Sequence, residues 1–432
     1  MVVRFVVLLL SLGLALFSPA GSAMAQTPRV CLDDSQAALG QFAQFHELAT
    51  RALLRSRSVS LEPKRFDNLA ADAERYLDER EGTALLVYAW DEDDLCLFLW
   101  SWALPGPDHR LYVRLSGAKR TLIRDARLLS ELAQAQTSLA AGRLPRKRAM
   151  TALDPPEAPS GDITAVTAEL SALLFPLELH GALREARELA IVPVGPIATT
   201  PLFMLRPFGD ERVTAELFAV NILTLMEDIQ EPSSASSRTP RNVLIVGNPT
   251  ARDEEWDFPD LPGAEAEARF AHGLLGGTML TREEATLARF EELAPDADLI
   301  VLAAHGVADA EAPLDGSFLA LADGRLVPRY IQSLMLDGRP LVVLSACQSG
   351  LGRALDAGVV GLARAFQLAG ASNTVMSLWS VDDDATRFLM EHFYRLLAEH
   401  EPAEALRLAT LSTRERFPHP GQWASFAVFG GP

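Results

Sequence analysis

The chain has 432 residues, more than one ordinary compact core accommodates, so two domains or more are expected. A composition of 49% hydrophobic and 22% charged residues excludes wholesale disorder. The formal charge of −18 excludes the basic surface of a nucleic-acid-binding protein; the one basic knot, Arg143, Arg146, Lys147 and Arg148 around Pro145, reads as a solvated linker.

Residues 1–25 read as a secretory signal peptide. Arg4 supplies the positive start, Val6–Phe17 an apolar core too short for a stable anchor, and Ala23-Met24-Ala25 the small residues before a cut ahead of Gln26. The expected location is therefore exported, periplasmic or extracellular, with no stable membrane span after cleavage. The three cysteines are Cys31, Cys96 and Cys347. In an oxidising compartment Cys31 and Cys96 are able to pair, leaving Cys347 as the odd thiol, but spacing leaves that pairing open. No Cys or His spacing suggests a metal site, and no cofactor is expected.

Along the chain, 36–57 and 63–80 read as amphipathic helices, and 83–104 as a hairpin turned at Asp91–Asp94. A strand over 111–115 and a helix over 119–141 follow. The Pro-, Arg- and Gly-rich stretch 143–161 is the linker candidate. The reading is a helical and β-hairpin N-terminal region over 26–160 and a second domain over 161–432.

The second domain alternates strand and helix, the mark of an α/β, mostly parallel sheet flanked by helices. Strands are expected at 189–194, 242–248, 298–304, 341–344 and 374–379, with edge strands at 218–225 and 423–429. A hairpin is expected at 319–326. Helices are expected at 263–275, 283–293, 359–370, 382–399 and 402–417.

Two of these strands carry the chemistry. Leu341–Leu344 breaks into Ser345-Ala346-Cys347-Gln348-Ser349-Gly350, and Asp298–Ala304 runs into His305-Gly306. Both are apolar and rich in β-branched residues, as strands buried on both faces are, and in open α/β sheets ligands bind at their carboxyl edge. Neighbouring parallel strands would bring His305 and Cys347 together. A thiolate is the nucleophile of such a pair, and a nearby imidazole lowers its pKa or shuttles the proton. The glycine-permitted turns leave backbone N–H groups able to face a developing oxyanion. Gly350 and Gly352 also sit where a dinucleotide fingerprint would, but its third glycine and its acidic residue are missing.

Several ordered stretches resemble one family: Ala303-Ala304-His305-Gly306, Leu344–Gly350, Gly361–Phe366, Ser377–Asp382, Val246-Gly247-Asn248-Pro249, Leu261–Glu265, Leu321–Gly324 and Gln422–Phe426. They are similar to the CHAT domain, related to separase and the caspase-type cysteine peptidases. The resemblance implies a caspase-like fold and peptide-bond cleavage through a thioester. It implies Cys347 as nucleophile, His305 as general acid/base, and the N–H groups of Gly306 and Cys347 as the oxyanion hole. Asp382 stands where separase-like relatives place an acid near the pocket for a basic side chain; equally, it suits the start of a helix, where carboxylates are favoured. Val194 stands in Pro193-Val194-Gly195-Pro196 where the family usually has Asp. The implied partner is a protein or peptide substrate, with activation by a protein partner left open. The alternative is a non-catalytic interaction module that keeps the fold.

Overall fold

The computed structural model describes residues 30–44, 69–106, 109–135, 161–223, 229, 240–307, 309, 315–345, 355–379 and 383–431, excluding the side chains of 355–360. The expected signal peptide, most of the linker, Cys347 and Asp382 lie outside the described residues.

Leu69–Asp78 (α1) leads into Thr83–Trp90 (β1), Leu95–Trp100 (β2) and Arg110–Leu115 (β3). Side chains alternate across a strand. On β1, Leu85, Val87 and Ala89 enter one core while Ala84, Leu86 and Tyr88 enter another. A strand apolar on both sides needs cover on both. One face receives α1 and a helix over residues 35–44; the other receives Ala118–Ala135 (α2) and Ile163–Leu174 (α3).

The rest alternates as expected: Glu188–Val192 (β4), Ala219–Ile222 (β5), Val243–Pro249 (β6), Pro262–Leu275 (α4), Thr278–Arg282 (β7), Leu287–Leu293 (α5) and Leu299–Ala303 (β8). A satellite sheet of Gly306–Val307 (β9), Phe318–Ala320 (β10) and Arg325–Leu326 (β11) intervenes. Leu341–Leu344 (β12), Leu355–Ala369 (α6), Asn373–Ser377 (β13), Asp383–Leu396 (α7), Pro402–Arg416 (α8) and Phe426–Phe429 (β14) complete the chain.

These strands form one eleven-stranded sheet in the order β3-β2-β1-β4-β5-β14-β13-β12-β8-β6-β7. It is a mixed α/β fold with a mostly parallel sheet; only β1–β2, β2–β3 and β13–β14 pair antiparallel. Because β1 pairs in parallel with β4, the N-terminal hairpin continues the sheet of the second half. The strand order corrects two expectations. The strands β5 and β14, read as edges, lie in the interior, where β14 joins β13 on one side and β5 on the other. The true edges are β3 and β7, and β7 carries no strand signature in the sequence because its five residues are mixed and half-exposed. The helix expected from 283 starts only at Leu287, where Thr286 accepts a hydrogen bond from Arg289 N–H.

Three of the family-like stretches have structural duties. At Gly247 an added Cβ would lie 2.4 Å from the Ala268 Cβ, so glycine is what lets α4 lie against β6. The described start of 377–382 locks onto the chain at and just before 422–426: Leu378 N–H donates to Ser425 O at 2.6 Å and Trp379 Nε1–H to Gly421 O at 3.0 Å. Among the described residues no single helix is long and apolar enough to cross a membrane.

Cys31 and Cys96 form a disulfide across 65 residues of sequence, settling the pairing that spacing left open. Oxidised, denatured protein should therefore show a single reactive thiol and reduced protein all three. By chain entropy, reduction should cost about 2–4 kcal/mol of stability, read by denaturant melts with and without reductant. Three reactive thiols in unreduced protein would rule the bridge out.

Candidate active site

The site starts from one pairing. Strands β8 and β12 run parallel and in register, Leu299 opposite Leu341 through Leu302 opposite Leu344. In sequence, His305 comes three residues after Leu302, and Cys347 three after Leu344. The second strand ends at Leu344, the described residues after it end at Ser345, and Cys347 lies beyond them.

His305 is buried, 3% exposed. Its backbone carbonyl accepts from Ala320 N–H at 2.8 Å, which seats it on the satellite sheet. Its Nε2 lies 2.7 Å from the Pro259 carbonyl. A carbonyl only accepts, so Nε2 carries the hydrogen and the neutral ring keeps its lone pair on Nδ1. That Nδ1 is buried and finds no hydrogen-bond partner among the described residues. The ring stacks on Phe258, centroids 5.1 Å apart and planes 26° apart. Burial pushes the His305 pKa below the ordinary imidazole value, outweighing the Pro259 hydrogen bond and the Asp383 carboxylate, which both raise it. The arrangement holds a neutral base with one open nitrogen.

Gly306 pairs with Leu319 in an antiparallel ladder. Since Ala320 N–H bonds His305 O, the alternation of such ladders makes 306–319 a non-hydrogen-bonded pair. The Gly306 N–H therefore points away from β10. The acid expected at Asp382 lies outside the described residues; its neighbour Asp383 begins α7 and acts on His305 through its charge.

The segment carrying Phe258 and Pro259 is fastened at both ends. At its start Asn248 adopts φ 49°, a left-handed conformation that Asn tolerates. Its side chain accepts from Leu261 N–H at 3.0 Å and donates to Asp260 at 3.0 Å and Glu265 at 3.2 Å. Arg282 pairs with the same two carboxylates. In the middle, Arg325 bonds Asp253 at 2.6 and 2.8 Å and lies over the Phe318 ring. The guanidinium holds the Asp253 pKa down to about 2. Trp256, Val307, Phe318 and Ala320 form a small core beneath. Among the described residues no cluster of His, Cys, Asp and Glu is placed to hold a metal.

Residues 164–431 match the CHAT domain. The chain belongs to this family. Its curated relatives include tetratricopeptide repeat protein 28 of Mus musculus, 25% identical over 72% of this chain, and that of Homo sapiens, 24% identical over 60%. The matches span 15% and 13% of those proteins, so the chain corresponds to a small part of their length. Among solved structures, the Saccharomyces cerevisiae separase–securin complex superposes with a TM-score of 0.51 at 10% identity, covering 93% of this chain and 34% of that one. The fold is thus shared with separase.

In this CHAT domain the His305 ring expected from the sequence rests on Phe258 and the Pro259 carbonyl, two neighbours the sequence did not point to. Their only signal was position, between the stretches 246–249 and 261–265 that matched the family without an assigned role. In a Cys347→Ala protein the His305 Cε1–H resonance should titrate below about 6.5, the usual imidazole midpoint. Since the folded midpoint is lowered, the stability from keeping this ring neutral is complete above about 6.5 and is lost as pH falls through the folded value. A resonance titrating above 6.5 would contradict the buried, neutral ring.

Proposed function

We propose that the chain is an exported caspase-like cysteine endopeptidase with Cys347 as nucleophile and His305 as general acid/base. The observation that supports this most is the in-register pairing of β8 and β12, which sends two chain ends off the same sheet edge at equal offsets from His305 and Cys347. The open Nδ1 of His305 adds to it, because a scaffold has no physical need for an unpaired buried nitrogen. The buried disulfide supports an oxidising compartment.

The steps follow from the tautomer. Nδ1 of His305 takes the Cys347 thiol proton. The sulfur attacks the peptide carbonyl carbon, forming a C–S bond while the carbonyl oxygen becomes an oxyanion facing the Gly306 and Cys347 N–H groups. The C–N bond breaks as the imidazolium returns its proton to the departing amine. Water, deprotonated by the same Nδ1, then attacks the thioester and releases the acid and the thiol. Asp382 would favour a basic side chain before the cleaved bond, and a protein partner would be one route to activation.

The second reading is a non-catalytic interaction module, favoured by the relatives' name, which speaks of repeats and not of a peptidase. Intact-mass labelling of the mature protein by an electrophilic peptide library separates the two. A peptidase should gain one adduct, lost in Cys347→Ala and lowered by about 100-fold or more in His305→Ala. Labelling unaffected by either substitution would overturn the dyad, and none with any peptide, reduced and concentrated, would favour the module.

A further inference from the structure

Helix α4 buries a carboxyl that the chemistry above does not use. Glu267 is 3% exposed, and no Lys or Arg pairs with it among the described residues. Its Oε2 accepts from the Ser345 hydroxyl at 2.6 Å and its Oε1 from the Tyr394 hydroxyl at 2.7 Å. Ser345 follows β12 directly and stands two residues before Cys347; Tyr394 belongs to α7. One carboxyl thus joins a helix, the exit of the central strand and a second helix.

Stability does not explain the trio. Replacing all three groups with apolar ones of similar shape would leave no hydrogen bond unmade, whereas burying a carboxyl costs free energy. The place of the trio does explain it. A nucleophile must be held to within a fraction of an ångström, and side chains that do so are themselves locked from behind. We propose that Glu267 is a positioning residue for Cys347, tethering Ser345 and so fixing where the chain leaves β12. This inference rests on the peptidase reading for its purpose, though not for its test.

The tether is sensitive to protonation. Burial raises the Glu267 pKa to about 7, with Glu391 of α7 adding repulsion and the two hydroxyls lowering it. Helix α4 also packs on β6 and β8, which contribute no titratable side chain, and on β7, whose Arg282 is engaged by Asp260 and Glu265. The carboxylate accepts from both hydroxyls at once. A protonated carboxyl must donate from one oxygen, so one hydroxyl has to turn.

The test is the rate at which iodoacetamide alkylates Cys347, read by intact mass across pH 5.5 to 9 on oxidised protein, where Cys347 is the one free thiol. No peptide is needed, so a chain that ignores every electrophilic peptide still answers it. Glu267→Gln and Ser345→Ala should each shift the rate at pH 8 by about tenfold, the size of one hydrogen bond to a charged group, and erase the inflection near 7. The double variant should shift it no further, since both substitutions cut one tether. Tyr394→Phe should shift it less. A folded Glu267→Gln protein whose profile overlays the wild type would overturn the proposal, as would additive shifts in the double variant. Should Glu267→Gln fail to fold, an unchanged profile in Ser345→Ala overturns it alone.

Discussion

The parallel pairing of β8 with β12 is the constraint on which the rest depends. Parallel neighbours cannot be joined by a tight turn; the chain must cross back over the sheet. Here the crossover runs from Ala303 to Leu341 and folds into the satellite sheet. That sheet fixes the His305 backbone through Ala320 N–H. The detour imposed by topology thus becomes the mount for the imidazole. The next connection along the sheet, between β6 and α4, lies over the same edge and supplies Phe258 and Pro259.

Most ion pairs around this edge contribute little to stability. Arg282 is 40% exposed and Asp260 55%, and exposed pairs are worth about 0–1 kcal/mol each. What they do is remove alternatives. With Asn248, Asp260, Glu265 and Arg282 satisfying one another, the chain enters α4 in one conformation and Pro259 has one place to put its carbonyl. The Asp253–Arg325 pair differs: Asp253 is 8% exposed and also accepts from the N–H groups of Glu255 and Trp256. Removing Arg325 would take two charged hydrogen bonds from that carboxylate, so this contact does hold the segment between β6 and α4 in place.

Legibility in the sequence followed length scale. The apolar runs at β8 and β12 showed as strands because both faces are covered, which leaves an uninterrupted hydrophobic signature. His305 and Gly306 could be placed because they end such a run. Strand order across the sheet was not legible, since nothing within residues 219–222 or 426–429 says which neighbours they have, and both were read as edges. The parallel bond between β1 and β4 is equally silent, because their pairing is backbone to backbone. Pro259 acts through its carbonyl, which every residue possesses, so no side-chain pattern announces it. Glu267 looked like any helix acid until Ser345 and Tyr394, 78 and 127 residues away in sequence, were seen to converge on it.

A sheet this wide has two borders to protect, and the chain treats them differently. Strand β7 is short, half-exposed and ends at Arg282, whose charge and left-handed φ of 53° discourage another strand from continuing the ladder. On β3, Arg110, Tyr112 and Arg114 share one face, and residues 30–36 run over it. Arg110 bonds Gln36, Tyr112 donates to Leu32 O at 2.6 Å, and Arg114 bonds Asp33 and Asp94. Hydrogen bonds and exposed ion pairs of this kind are too weak to hold such a segment against its own entropy. The Cys31–Cys96 bridge lies in the middle of them, on the strand next to the border. A covalent link makes the remaining contacts intramolecular at short range, so each need only choose an orientation. The disulfide therefore belongs to edge protection.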